Sequence, residues 1–164
     1  MTRIKSSVVA SVVLVGVLVL IAASTHVLLA QTDPAIGMWK LNTAKSKYRP
    51  GQTPKSNMIT ITAAGSGFHV VAKGEDATGK PTGIDYTATF DGKDSPVKGA
   101  PAYDTTSLKR IDANTTEQIR KKEGKVVQTA TRKISADGKT MTVTTRGQDE
   151  SGSPLNIVAV YDKQ

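Results

Sequence analysis

EGKVVQTATRKISADGKTMTVTTRGQ, residues 123–148, is the stretch that decides the fold. Asp137-Gly138 is a strong two-residue hairpin signal, because both turn positions need a positive φ that Asp and Gly tolerate. After it Met141, Val143 and Thr145 alternate with Thr140, Thr142, Thr144 and Arg146. Period two places the first set on one face of a strand and the second on the other. Threonine suits the outer face, since its branched Cβ favours extended backbone while its hydroxyl stays wet. Ahead of the turn, Glu123-Gly124-Lys125 opens the preceding strand in the same way.

The same beat continues outward in both directions. Turn-forming residues punctuate the chain at 75–81, 91–94, 112–114, 136–139 and 150–154. Ile84, Tyr86, Ala88 and Phe90 share one face, as do Leu155, Ile157, Ala159 and Tyr161. Near the start, Gly37, Trp39 and Leu41 oppose Ile36, Met38 and Lys40. Repeated hairpins make a meander, which either closes on itself or covers its face with a second sheet. The expected fold is all-β: an up-and-down antiparallel meander of nine or ten strands closed into a barrel. A flattened sandwich shares this rhythm and stands as the alternative. Residues 42–56 read as a loop with Pro50, Gly51 and Pro54, holding one short helical turn around Thr43–Lys47. Pro96 and Pro101 predict that residues 95–102 form an edge or a short strand. Two segments, Thr105–Ile111 and Thr115–Lys122, are polar on both faces. They lie either at an edge or around a partly polar cavity.

Residues 1–30 read as an export signal. Arg3 and Lys5 precede an uncharged apolar run, and Leu28-Leu29-Ala30 offers a cleavage site before Gln31. The stretch from Ser6 to Ala30 is also long enough to cross a bilayer, so a retained anchor is the alternative. Residues 31–164 then form a single β-barrel domain, in a periplasmic or extracellular setting. The chain has no cysteine, so packing and strand ladders hold this fold without disulfides. The net charge is +8, with basic residues scattered and only Arg120-Lys121-Lys122 forming a run. Such a distribution describes a solvated surface with at most weak contact to anionic surfaces.

With the last strands laid out, Glu123-Gly124-Lys125, Arg132, Asp137-Gly138-Lys139-Thr140-Met141 and Val160-Tyr161-Asp162-Lys163 resemble the C-terminal end of the cytosolic fatty-acid-binding proteins. Those belong to the calycin group, which includes the lipocalins. Gly37-Met38-Trp39 is similar to the Gly-x-Trp that opens the first strand in both groups. The arrangement also resembles small exported lipocalin-like proteins of bacteria. The resemblance covers both ends of residues 31–164 and matches the middle loosely. It implies a carboxylate site in which Arg132 and Tyr161 take the places of ligand-gripping residues. The family's second arginine falls on Ala159, so a neutral or mildly polar ligand stands beside a carboxylate. The family's helical lid has no room in residues 42–56.

The expected function is non-catalytic binding of a small apolar or amphipathic ligand inside the barrel, with candidate contacts Arg132, Tyr161, Tyr86, Phe90 and Trp39. Trp39, the single tryptophan, reads more readily as a plug across one end than as a stacking surface. The alternative is a cell-envelope interaction protein with a filled barrel and a basic surface. No catalytic or metal site is expected, and no cofactor. His69 is the one histidine outside the leader and no cysteine accompanies it, which disfavours zinc; no nucleophile elbow is present. Asp91, Asp94 and Asp137 fall at turns, where aspartate serves the backbone. Specific nucleic-acid binding lacks stacking aromatics on a basic face.

Overall fold

The computed structural model of the protein describes residues 33–164, so the expected leader at 1–30 lies outside the described residues. The strands are β1 (Gly37–Leu41), β2 (Lys47–Arg49), β3 (Ser56–Ala64), β4 (Gly67–Glu75), β5 (Pro81–Thr89), β6 (Ser95–Lys98), β7 (Thr105–Asp112), β8 (Thr115–Lys122), β9 (Lys125–Ile134), β10 (Thr140–Gln148) and β11 (Pro154–Lys163). From β3 to β11 each strand pairs antiparallel with the next, and β1 joins β3 to β11, closing the sheet. The fold is a closed antiparallel barrel; the flattened sandwich is excluded.

Closure adds one element to the expected loop. Residues 42–56 contain a short strand as well as a single turn. Thr43–Ser46 makes a single hydrogen-bonded turn (Ser46 N to Thr43 O, 3.4 Å), and β2 follows at once. β1 pairs with the end of β11 (Leu41 opposite Tyr161), and β2 pairs further back (Tyr48 opposite Ile157). The two lie end to end along β11 as one interrupted stave, which makes ten staves from eleven strands. The excursion between them is buttoned to Val160: Asn42 N donates to its carbonyl at 2.8 Å, and its own N–H donates to Ser46 Oγ at 2.9 Å. Without β2 the first half of β11 would show an unpaired ladder edge.

The alternating faces fall as the sequence predicts. Trp39, Leu41, Ile59, Ile61, Phe68, Val70, Tyr86, Ala88, Met141, Ala159 and Tyr161 are buried. β6 is short and interior, sharing two residue pairs with each neighbour. β7 and β8, polar on both faces, are interior staves too. Thr106, Thr116 and Gln118 point inward and are buried, so this wall of the barrel interior is polar. A β-bulge between Arg120 and Lys121 skips Val127 on β9. Bulges re-aim side chains. Gly147 lies beside it with φ +141°, where a Cβ would collide with the Val127 carbonyl.

Candidate ligand-binding cavity

One end of the barrel is packed shut. Trp39, Ile61, Phe68, Leu108, Ile134 and Met141 are all essentially inaccessible and fill the bore. Trp39 Nε1 donates to Ala35 O at 2.8 Å, which ties the segment entering β1 under the barrel floor. Phe68 and Phe90 meet edge to face, with ring centroids 4.9 Å apart. Arg110 lies 4.0 Å from the Phe90 centroid and pairs with Asp33. A shallow depression of about 750 Å³ outside this floor is lined by Asp33, Phe90, Arg110 and nearby turns.

Towards the other end lies a cavity of about 780 Å³, within the size range of small-molecule sites. Its mouth is formed by the β4–β5, β6–β7 and β10–β11 loops, which contribute Asp76, Lys80, Ala100, Pro101, Tyr103 and Glu150 to its lining. β3, β4, β10 and β11 supply an apolar wall that includes Ile59, Val70, Val143 and Ile157. β8 and β9 supply the polar wall: Gln118, Arg120 and Arg132.

The polar wall is a connected network. Gln128 Nε2 donates to the Gln148 carbonyl (2.8 Å), and Gln128 Oε1 accepts from Arg120 Nη1 (3.0 Å). Arg120 Nη2 donates to Gln118 Oε1 (3.0 Å). Gln118 Nε2 donates to Thr106 Oγ1 (2.8 Å) and to the Tyr86 hydroxyl (3.2 Å). Arg132 Nη2 donates to that same hydroxyl at 3.3 Å. Tyr103, from the β6–β7 loop, lays its ring over Arg120, with Cζ 4.8 Å from the centroid.

Neither Arg120 nor Arg132 has a carboxylate within ion-pair distance among the described residues, whereas Arg110 and Lys121 each do. Arg132 Nε and Nη1 and Arg120 Nε are buried without a hydrogen-bond partner, although Arg132 is only 8% exposed. Guanidinium does not shed its charge in a protein, so these groups call for an anion or further acceptors. Tyr161 sits beside them. Burial, reinforced by the neighbouring Tyr48 hydroxyl, pushes its pKa well above the ordinary tyrosine value, against the pull of Arg120 and Arg132. Tyr48 and Tyr103 are raised as well, chiefly by burial. These hydroxyls therefore stay protonated at neutral pH and able to donate.

Of the five residues expected at the site, Arg132, Tyr161 and Tyr86 line this one cavity. Trp39 and Phe90 do not. Trp39 is in the packed floor, and Phe90 borders the depression at the closed end. Ala159, standing where the resemblance places a second arginine, lines the cavity. A second guanidinium lines the cavity from Arg120 on β8, a residue that reads in the sequence as part of a surface basic run.

No family model matches the sequence, and no curated protein matches it. Among solved structures, that of the zebrafish ileal bile acid-binding protein complexed with cholic acid is similar, with a TM-score of 0.47 and 10% sequence identity over 80% of this chain and 99% of that one.

Proposed function

We propose that this protein binds, without chemical turnover, a small amphipathic molecule with an anionic headgroup inside its barrel. One observation carries the reading: Arg120 and Arg132 line an open-mouthed, largely apolar cavity without an ion-pair partner among the described residues, and three of their buried N–H groups have no acceptor. A buried unpaired charge is costly, and a ligand anion offsets that cost. Apolar burial against Ile59, Val70, Val143 and Ile157 supplies affinity, while Arg132, Arg120, Tyr86 and Tyr161 orient the head. The envelope reading with a filled barrel calls for a packed interior, and the cavity argues against it. Export of the barrel remains part of the proposal on the strength of the leader-like residues 1–30.

The test is direct. Protein from its own source is extracted and the extract analysed by mass spectrometry, and the stripped protein is titrated with a dansyl-labelled undecanoate. An acidic amphiphile in the extract, and weaker probe binding in Arg132→Ala and Tyr161→Ala, are expected. An empty extract together with unchanged probe binding in both variants would sink the reading.

A further inference from the structure

We infer that the headgroup suited to this cavity is a dianion, a phosphate monoester carried on an apolar body, rather than a single carboxylate. The inference rests on the proposed binding function and specifies the chemistry of its ligand.

Charge is the first ground. Arg120 and Arg132 bring two permanent positive charges to one cavity. The acidic residues in its lining, Asp76 and Glu150, belong to the loops at the mouth. Asp76 is engaged there: its Oδ1 accepts from Thr78 N, Thr78 Oγ1 and Lys80 N. One carboxylate would leave a full positive charge uncompensated within the body of the cavity.

Donor supply is the second ground. Arg132 Nε and Nη1 and Arg120 Nε are unpartnered. The Tyr86 oxygen already accepts from Gln118 and Arg132, which leaves its own proton to be given away. Tyr161 lines the cavity as well, with its hydroxyl beside that of Tyr48. The acceptors of the polar wall are meanwhile consumed, since Gln118 Oε1 and Gln128 Oε1 both face Arg120. Among the described residues one buried acceptor, Asn57 Oδ1, is also unpartnered; Asn57 lines the same cavity from β3, on the wall opposite β8 and β9. A dianion is harder to strip of water than a carboxylate. A site prefers it only when cationic charge and donors are in surplus; here two guanidiniums without carboxylates supply the charge, and their three unpartnered N–H groups become donors once the side chains turn towards a ligand. Three phosphate oxygens accept from several donors at once, and arginine matches their geometry with paired N–H groups.

Three ligands with one chain separate the possibilities: dodecyl phosphate, dodecyl sulfate and dodecanoate, titrated calorimetrically into the purified protein. At pH 7.5 dodecyl phosphate is expected to bind about tenfold or more tightly than either monoanion, the scale of one added charge-assisted hydrogen bond. The preference should fade at pH 5, where the phosphate, with its second pKa of about 6, carries a single charge. Arg120→Leu should bring dodecyl phosphate down to the level of dodecanoate. Inorganic phosphate should bind far more weakly than its dodecyl ester; equal binding would overturn the amphiphile. Dodecanoate binding as tightly as dodecyl phosphate, or a phosphate preference unchanged at pH 5, would overturn the dianion and leave the binding function standing. Failure of all three ligands to bind would overturn the binding function itself.

Discussion

The closed end of the barrel holds the tryptophan and both phenylalanines, whereas the cavity end holds all four tyrosines. The same staves run through both regions, so the contrast lies in side chains alone. Trp39, Phe68 and Phe90 fill space, and the indole N–H has its acceptor in Ala35 O. Tyr48, Tyr86, Tyr103 and Tyr161 bring an apolar body and a hydroxyl that needs a partner, which suits a cavity that water or a ligand enters. One end is built to be dry and full, the other to be polar and incomplete. Folding stability should therefore reside chiefly at the first and ligand recognition at the second.

The largest expected effect tests the first half of that division. Trp39→Ala should lose about 3–5 kcal/mol of unfolding free energy, because the packed floor around it relaxes only partly into the space left behind. Urea denaturation measures the loss. Tyr103→Ala should cost less than half as much, since its ring already borders open cavity. Equal losses would mean that the open end is a structural core as well.

Next in size is an effect of opposite sign at the cavity. Arg132→Leu should weaken binding of an anionic dansyl probe by about 10- to 100-fold, the scale of a charge-assisted hydrogen bond. It should also hold or raise the unfolding free energy, because an unpaired buried cation is replaced by a side chain that packs. A loss of stability in this variant would make Arg132 a structural residue and erase the contrast between the ends.

The turn chemistry and the alternation of residues 123–148 carry the barrel in the sequence, since both are local and each strand needs only its own residues to declare its faces. β2 is not local. Its three residues become a strand only because β11 has an open edge, and nothing within Lys47–Arg49 announces that. The site divides similarly. Arg132 and Tyr161 are legible from a resemblance and Tyr86 from its inward face. Periodicity gives the face but not the height along the bore, and so Trp39 and Phe90 join the same candidate set although they lie at the closed end. Arg120 is hidden for a different reason. In Thr115–Lys122 the one large apolar residue is Ile119, and the usual rule puts it inward; here Thr116, Gln118 and Arg120 take the interior and Ile119 is turned outward. A signal was present, because three polar residues at period two beside a strand carrying Arg132 describe one wall of a polar cavity.

The smallest expected effect concerns pH, where the two ends should part company on the alkaline side only. Asp91, Asp112 and Asp137 at closed-end turns, and Asp76 and Asp149 at open-end turns, have pKa values held below 3.8 by hydrogen bonds from their own turns. Their contribution is present above the unfolded value and is lost as pH falls through the folded ones, so acid should loosen both ends together. Tyr48, Tyr103 and Tyr161 lie above 10.0 because they are buried. Above pH 10 the unfolded chain has released these protons while the folded chain retains them, so stability should fall as pH climbs from there. The closed end has no tyrosine and should not take part. Unfolding midpoints between pH 9 and about 11.5, set by the unperturbed tyrosine value, should decline in the parent protein and more gently in Tyr161→Phe. Asp137→Ala should lower the midpoints by a constant amount across the alkaline limb, leaving its slope unchanged, and should flatten the acid limb. Identical alkaline slopes for the parent and Tyr161→Phe would show that Tyr161 ionises as freely folded as unfolded, and that its surroundings are far wetter than its burial indicates.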